Sequence, residues 1–115
     1  MPVVKIYHNP RCSKSRTALA LLEDRGIHPQ VIEYLTSPPS EQEITALLKS
    51  LNIKAIELVR TNEDEFITLK LSKDSPEATL IKAMSLHPKL IQRPIVVNGH
   101  KAVIGRPPET ILEIL

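Results

Sequence analysis

The sequence predicts an α/β fold that runs β-α-β, then a helical insertion, then β-β-α. Three observations carry this reading. Short β-branched runs flank a stretch with apolar residues at helical spacing near the N-terminus. Helix-start signals then follow one another through the middle of the chain, about residues 38–90. Finally, Asn98-Gly99 sits between two β-branched runs, the strongest short-range sign of a hairpin.

Each element has its own reason. Residues 3–7 form a β-branched strand stopped by Asn9-Pro10. A helix starts near Cys12 or Ser13, with Ser15, Ala18, Leu19 and Leu22 at helical spacing. Arg25 and Gly26 end it, a cation in the last turn and then glycine. Residues 31–35 read as a second strand. After Pro38-Pro39, Ser40 and Glu43 make a capping box, and Ile44, Leu47, Leu48 and Leu51 form one apolar face closed by Asn52. A short helix is expected over 54–59, near Arg60. Asn62 is expected to cap the next, with Glu63, Asp64 and Glu65 in its first turn. Ser75-Pro76 opens another, with proline at the first helical position. It runs to Leu86. Residues 95–97 and 101–104 are the hairpin strands. Pro107-Pro108 stops the second, and Ile111, Leu112 and Leu115 form a terminal helix.

That order is the thioredoxin-like arrangement, with a helical insertion of about 38–90 between the halves of one domain spanning 1–115. Arg93-Pro94 supports it, because a proline entering the hairpin sits where that fold keeps a cis bond.

Composition narrows the function. The chain of 115 residues is 42% apolar with only three aromatics. Its 15 basic and 13 acidic residues leave a net charge of +2. That balance argues against a nucleic-acid binder, which needs a dominant basic face and stacking aromatics. No apolar run approaches the ~18 residues of a membrane span, so no membrane partner is expected. The stretch Met1-Pro2-Val3-Val4-Lys5 lacks the apolar core of a secretory leader. A single cysteine excludes an intrachain disulfide and a cysteine-based zinc cage. The histidines have no metal-ligand spacing, so no metal is expected, nor any tightly bound cofactor. The expected compartment is the reducing cytoplasm.

That cysteine, Cys12, lies in His8-Asn9-Pro10-Arg11-Cys12-Ser13-Lys14-Ser15-Arg16. Its expected place at a helix N-terminus favours negative charge through the dipole and the unpaired backbone N–H groups. Arg11, Lys14 and Arg16 add positive charge, and so does His8 if protonated. Ser13 and Ser15 are hydroxyl donors close by. All of this favours the thiolate, and the same donors make an oxyanion-binding loop. The bland alternative is a small buried hydrophobe. Cys12 and Ser15 form C-x-x-S, so a disulfide on Cys12 must be resolved by a thiol from another molecule. A C-x5-R phosphatase loop is excluded, since Ala18 stands where its arginine would.

The hairpin brings in two arginines. With Asn98-Gly99 as a two-residue turn, Val97 faces His100 and Arg93 faces Ile104. Arg93 and Arg106 then share a face as a diagonal pair, ~7–8 Å apart at the backbone. Their guanidinium forks suit one tetrahedral oxyanion. Taken singly, each is also an ordinary solvated strand end. Arg60 likewise reads as a cation at a helix C-terminus.

The stretch from Ile6-Tyr7-His8-Asn9-Pro10-Arg11-Cys12 to Ser15-Arg16 resembles the glutaredoxin-coupled arsenate reductase family. So do Tyr34-Leu35-Thr36-Ser37-Pro38-Pro39, His87-Pro88, Gln92-Arg93-Pro94-Ile95-Val96-Val97 and Gly105-Arg106-Pro107. The likeness is greatest to short members without a C-terminal extension. It implies that Cys12 attacks arsenate and that Arg60, Arg93 and Arg106 bind the oxyanion and its adducts. It implies that His8 and Ser15 support the thiolate and that Pro94 is the cis-proline. The implied partners are arsenate or a similar oxyanion, glutathione as co-substrate, and glutaredoxin. Arginine at 11 and lysine at 14 make this loop more basic than the bare motif. Two alternatives stand beside this reading. One is a glutathione-dependent thiol oxidoreductase with another substrate. The other is a non-catalytic regulator that binds RNA polymerase, as one redox-sensing relative of the fold does through a C-x-x-C switch. Ser15 in place of the second cysteine speaks against the latter.

Overall fold

A four-stranded sheet, in the spatial order Gln30–Ile32, Val4–Tyr7, Ile95–Asn98 and Lys101–Ile104, carries the functional loops. The computed structural model describes residues 3–115. Met1 and Pro2, part of the stretch read above as no leader, lie outside the described residues. The chain falls into two units: the part up to Ser37 together with Arg93–Leu115, and Pro38–Gln92.

The first unit holds the sheet. β1 (Val4–Tyr7) pairs in parallel with β2 (Gln30–Ile32) and antiparallel with β3 (Ile95–Asn98), which pairs with β4 (Lys101–Ile104). α1 (Ser13–Asp24) makes the crossover from β1 to β2, and a 3-10 segment, Pro108–Ile114, ends the chain. This is the thioredoxin-like order that the sequence predicts. Ala18 and Leu22, one turn apart on α1, meet Ile6, Val96 and Ile111 in a core from which water is fully excluded. Fully burying each larger side chain there contributes about 1.5–3 kcal/mol. Gly26 follows α1 with φ +74°, the left-handed conformation that stops the helix.

Three expectations in this unit are corrected. β2 ends at Ile32 rather than 35, because the Glu33 carbonyl accepts from Thr36 N and Ser37 N and turns the chain away. The C-terminal segment is a 3-10 helix opened by Pro108, with Ile111 buried and Leu115 left 38% exposed. The hairpin register also differs. Asn98 pairs with Lys101 and Ile95 with Ile104, so Gly99-His100 is the turn. Gly99 alone has positive φ, at +64°, which fits a turn with glycine first. Asn98 stays in the strand, where its Nδ2 donates to the Ile114 carbonyl at 2.6 Å.

The second unit is helical: α2 (Glu41–Leu51), α3 (Ala55–Leu58), α4 (Asp64–Thr68) and α5 (Glu77–Leu86), then a 3-10 turn at Pro88–Leu90. Ser40 and Glu43 form the capping box in both directions, and Asn52 closes α2 in the left-handed region. Ile44, Leu47 and Leu48 of α2 and Leu80, Ala83 and Met84 of α5 are buried. Ser85 Oγ donates to the Pro39 carbonyl at 2.9 Å. Two helix starts differ from expectation. Asn62 lies in a turn closed by Glu63 N–H on the Arg60 carbonyl, so Glu63 is the N-cap of α4. Pro76 is the N-cap of α5 rather than its first residue, while Ser75 Oγ accepts from Ser72 N.

Candidate active site

The loop from β1 to α1 is fixed by its own backbone. His8 N–H extends the sheet to the Ile32 carbonyl at 2.8 Å. Asn9 N–H donates to Ser15 Oγ at 3.1 Å, and Asn9 Oδ1 accepts from Arg11 N at 3.0 Å. The Asn9 carbonyl accepts from Cys12 N at 3.0 Å. Arg16 Nη1 closes the loop on the Pro10 carbonyl at 2.9 Å. Asn9 and Ser15 are buried, and each is satisfied by these bonds. The loop therefore presents Cys12 in a defined place.

Cys12 is the N-cap of α1, with extended backbone and no side-chain cap on the helix. There is no acidic residue in the first turn. The N–H groups of that turn are thus open to an anion. Burial pushes the Cys12 thiol up. The N–H of Ser15, the Arg93 guanidinium and the N–H of Lys14 oppose this by favouring the thiolate, and the Arg93 charge adds to them, so the net value falls below the ordinary thiol. Cys12 is partly exposed.

For His8 the condition for a positive charge is not met. Burial, opposed by the Glu33 carboxylate and aided by Arg16, lowers its value. His8 is therefore neutral at pH 7 and adds no positive charge to the loop. Ser15 reaches the sulfur through its backbone, while its hydroxyl accepts from Asn9. Lys14 likewise contributes its N–H. The side chains of Arg11, Ser13, Lys14 and Arg16 are all exposed. Loop electropositivity here comes from backbone dipoles and Arg93 more than from the lysine and arginine heads that the sequence displays.

Arg93 and Arg106 meet at the open end of the hairpin. Gly105 N–H donates to the Pro94 carbonyl at 2.8 Å, carrying the observed register one pair past β3 and β4. Arg93 then stands opposite Arg106 rather than diagonal to it. Arg106 Nε donates to the Arg93 carbonyl at 2.7 Å. Arg106 thus holds the backbone that aims Arg93 at the sulfur. Gly105 has a packing reason: a Cβ there would lie 2.8 Å from Pro94 Cγ. The Arg93–Pro94 and Arg106–Pro107 bonds are both cis. No sequence signal marked the second.

Arg60 belongs to the helical unit. Its N–H donates to the Leu90 carbonyl at 2.7 Å, and its Nε pairs with Glu63 Oε1 at 3.2 Å. Within the sheet unit the structure brings together Cys12, Ser15, Arg93 and Arg106. Sequence reasoning missed Asn9, whose side chain and backbone organise the loop. Asn before proline, followed by an N–H two residues on, is the signature that would have found it. Among the described residues no group of three or more His, Cys, Asp or Glu could hold a metal ion. No helix among them is long and apolar enough to cross a membrane.

A partly exposed thiolate beside a guanidinium and open N–H groups can attack an electrophilic centre and hold the oxygens of a tetrahedral oxyanion. The sequence profile of the ArsC family matches residues 7–114. The chain is 51% identical over 114 residues to an arsenate reductase of Haemophilus influenzae, covering 97% of this chain and 98% of that protein. It is 52% identical to an Escherichia coli protein known as YfgD and described as uncharacterized, covering 97% and 96% of the two chains. The solved structure of an arsenate reductase from Vibrio cholerae superposes with a TM-score of 0.95 at 48% identity, covering 99% of this chain and 98% of the other. A thioredoxin-like sheet with a lone N-capping cysteine, matched over nearly its whole length in sequence and structure, makes this chain a member of the ArsC family.

Proposed function

We propose that the protein reduces arsenate to arsenite, with Cys12 as nucleophile and glutathione and glutaredoxin as reductants. The observation that carries this reading is Cys12 at the uncapped start of α1, where two α1 N–H groups and the Arg93 guanidinium favour its thiolate. The names of its relatives support the substrate, and the family resemblance supports the reductants. Cys12 is the chain's one cysteine, so the electrons must come from outside thiols.

Cys12 Sγ bonds arsenic(V), and one arsenate oxygen leaves as water. A glutathione thiol forms a second sulfur–arsenic bond, and a second oxygen leaves as water. A glutaredoxin thiolate then attacks the glutathione sulfur. That sulfur–arsenic bond breaks with its electron pair left on arsenic, which becomes arsenic(III), while a glutathione–glutaredoxin disulfide forms. Water displaces Cys12 and arsenite departs. Arg93 holds the oxyanion and its adducts, and Arg106 fixes Arg93. Arg60 is assigned to the same task on family resemblance, and His8 and Ser15 to support of the thiolate. These reductants belong to the cytoplasm.

A coupled assay tests the reading. NADPH consumption is followed with glutathione reductase, glutathione, glutaredoxin and arsenate. Arsenate-dependent turnover is expected, falling to the blank in Cys12→Ser. A folded protein with reactive Cys12 and no turnover above the blank would contradict it.

A further inference from the structure

A cleft of about 360 Å³ opens beside the loop that carries Cys12. Its walls are His8, Asn9 and Arg11 from the loop and Glu33, Leu35 and Thr36 from the turn after β2. The volume lies within the ~300–1,000 Å³ of small-molecule sites. Both walls are held. The Glu33 carbonyl accepts from Thr36 N, Ser37 N and Thr36 Oγ1 at 2.9–3.1 Å. The Asn9 carbonyl bonds Cys12 N at 3.0 Å, so one wall is continuous with the backbone of the nucleophile.

The charges on this cleft are complementary to a zwitterion. Arg11 and Glu33 are exposed. Among the described residues neither side-chain head has a hydrogen bond or ion pair. His8 is 6% exposed, and its Nδ1 has no hydrogen-bond partner among the described residues. Leu35 supplies apolar surface. A cation, an anion and a neutral imidazole around one hollow match an α-amino acid head with its ammonium and carboxylate side by side.

We propose that this cleft binds the γ-glutamyl end of glutathione, with Glu33 receiving the α-ammonium and Arg11 the α-carboxylate. The inference rests on the functional reading above, which makes glutathione the second thiol. The geometry permits delivery. A tripeptide spans about 10 Å when extended, and Cys12 directly follows Arg11. The cleft would then bring the reductant to the loop while Arg93 holds the oxyanion.

Titration with S-methylglutathione, whose blocked sulfur cannot react, tests this on the full chain by amide chemical shifts. Shifts are expected at residues 8–11 and 33–36. Binding is expected to weaken about tenfold in Glu33→Gln and in Arg11→Gln. S-methylcysteinylglycine, which lacks the γ-glutamyl head, should bind at least about tenfold more weakly. Shifts confined elsewhere, or unchanged affinity in both variants, overturn the proposal. The coupled assay separates it from the functional reading. Glu33→Gln should raise the KM for glutathione about tenfold, while arsenate still protects Cys12 from alkylation as in the parent. If the parent turns over and the glutathione KM moves in neither variant, the cleft assignment fails alone. If the parent reduces no arsenate, the functional reading fails, and the titration still decides whether the cleft takes the zwitterion.

Discussion

The helix starts of the two units use the same physics in opposite ways. At α2 and α3 of the helical unit the chain supplies its own oxygen acceptors. Ser40 Oγ takes Glu43 N at 3.1 Å, and Glu43 answers on Ser40 N at 3.2 Å. At α3, Glu57 takes Lys54 N at 2.8 Å, and both oxygens of Glu77 take Ala55 N at 3.1 and 3.2 Å. In the sheet unit α1 has no side-chain oxygen at its cap and no acid in its first turn. The N–H groups of Lys14 and Ser15 favour the Cys12 thiolate instead. Where the chain caps a helix with an oxygen, the orphan donors stabilise the fold. At α1, where it withholds one and places no acid in the first turn, the donors favour a thiolate and suit an oxyanion.

Converting one kind of start into the other should have the largest effect. Cys12→Asp places a carboxylate at the α1 N-cap. Turnover should fall to the blank, and stability to urea should rise by about 1 kcal/mol, the usual worth of a good N-cap. Lower stability in this variant would break the comparison. Next comes Arg93→Gln, which keeps the loop but removes the charge beside the sulfur. The Cys12 alkylation midpoint should move to higher pH, and turnover should fall about 10²-fold, the scale for one lost anion-stabilising donor. An unmoved midpoint would show that the backbone alone sets the thiolate. In the helical unit, Ser40→Ala should cost about 1 kcal/mol in urea unfolding and leave the alkylation midpoint unchanged.

The smallest effect is the pH dependence contributed by His8. Its folded-state value is lowered, chiefly by burial, with Glu33 opposing and Arg16 aiding. The folded protein therefore binds this proton less readily than the unfolded chain. The stabilising contribution is complete above the unfolded value, about 6.5, and is lost as pH falls from there toward the folded value. Urea midpoints at pH 7.5 and 5.5 should differ less in His8→Gln than in the parent. An equal or steeper loss in the variant would contradict the assignment.

The parts of this molecule that obey local rules were legible in the sequence. The Ser40–Glu43 box, the apolar face of α2, the glycine stop after α1 and Cys12 at the start of α1 all depend on residues within a turn or two. The parts set at a distance were not. Asn98-Gly99 is a turn pair by local preference, yet Asn98 is held in β3 by a carbonyl 16 residues on. That one-residue shift turned a diagonal Arg93 and Arg106 into facing residues. The charge of His8 depends on burial and on Glu33, which lies across the β1–β2 ladder. The cleft beside the loop needs the turn after β2, which the sequence read as strand. Lys14 was read for its ammonium, while its backbone N–H is the group that favours the thiolate.

The pH profile of Cys12 alkylation tests the central claim most directly. The chain has one cysteine, so the rate reports that thiol alone. A single titration with its midpoint below that of an ordinary thiol, about 8.5, shifted upward in Arg93→Gln, is the expected result. A midpoint at or above the ordinary value would mean that burial outweighs the open helix start and the guanidinium, and would contradict the account.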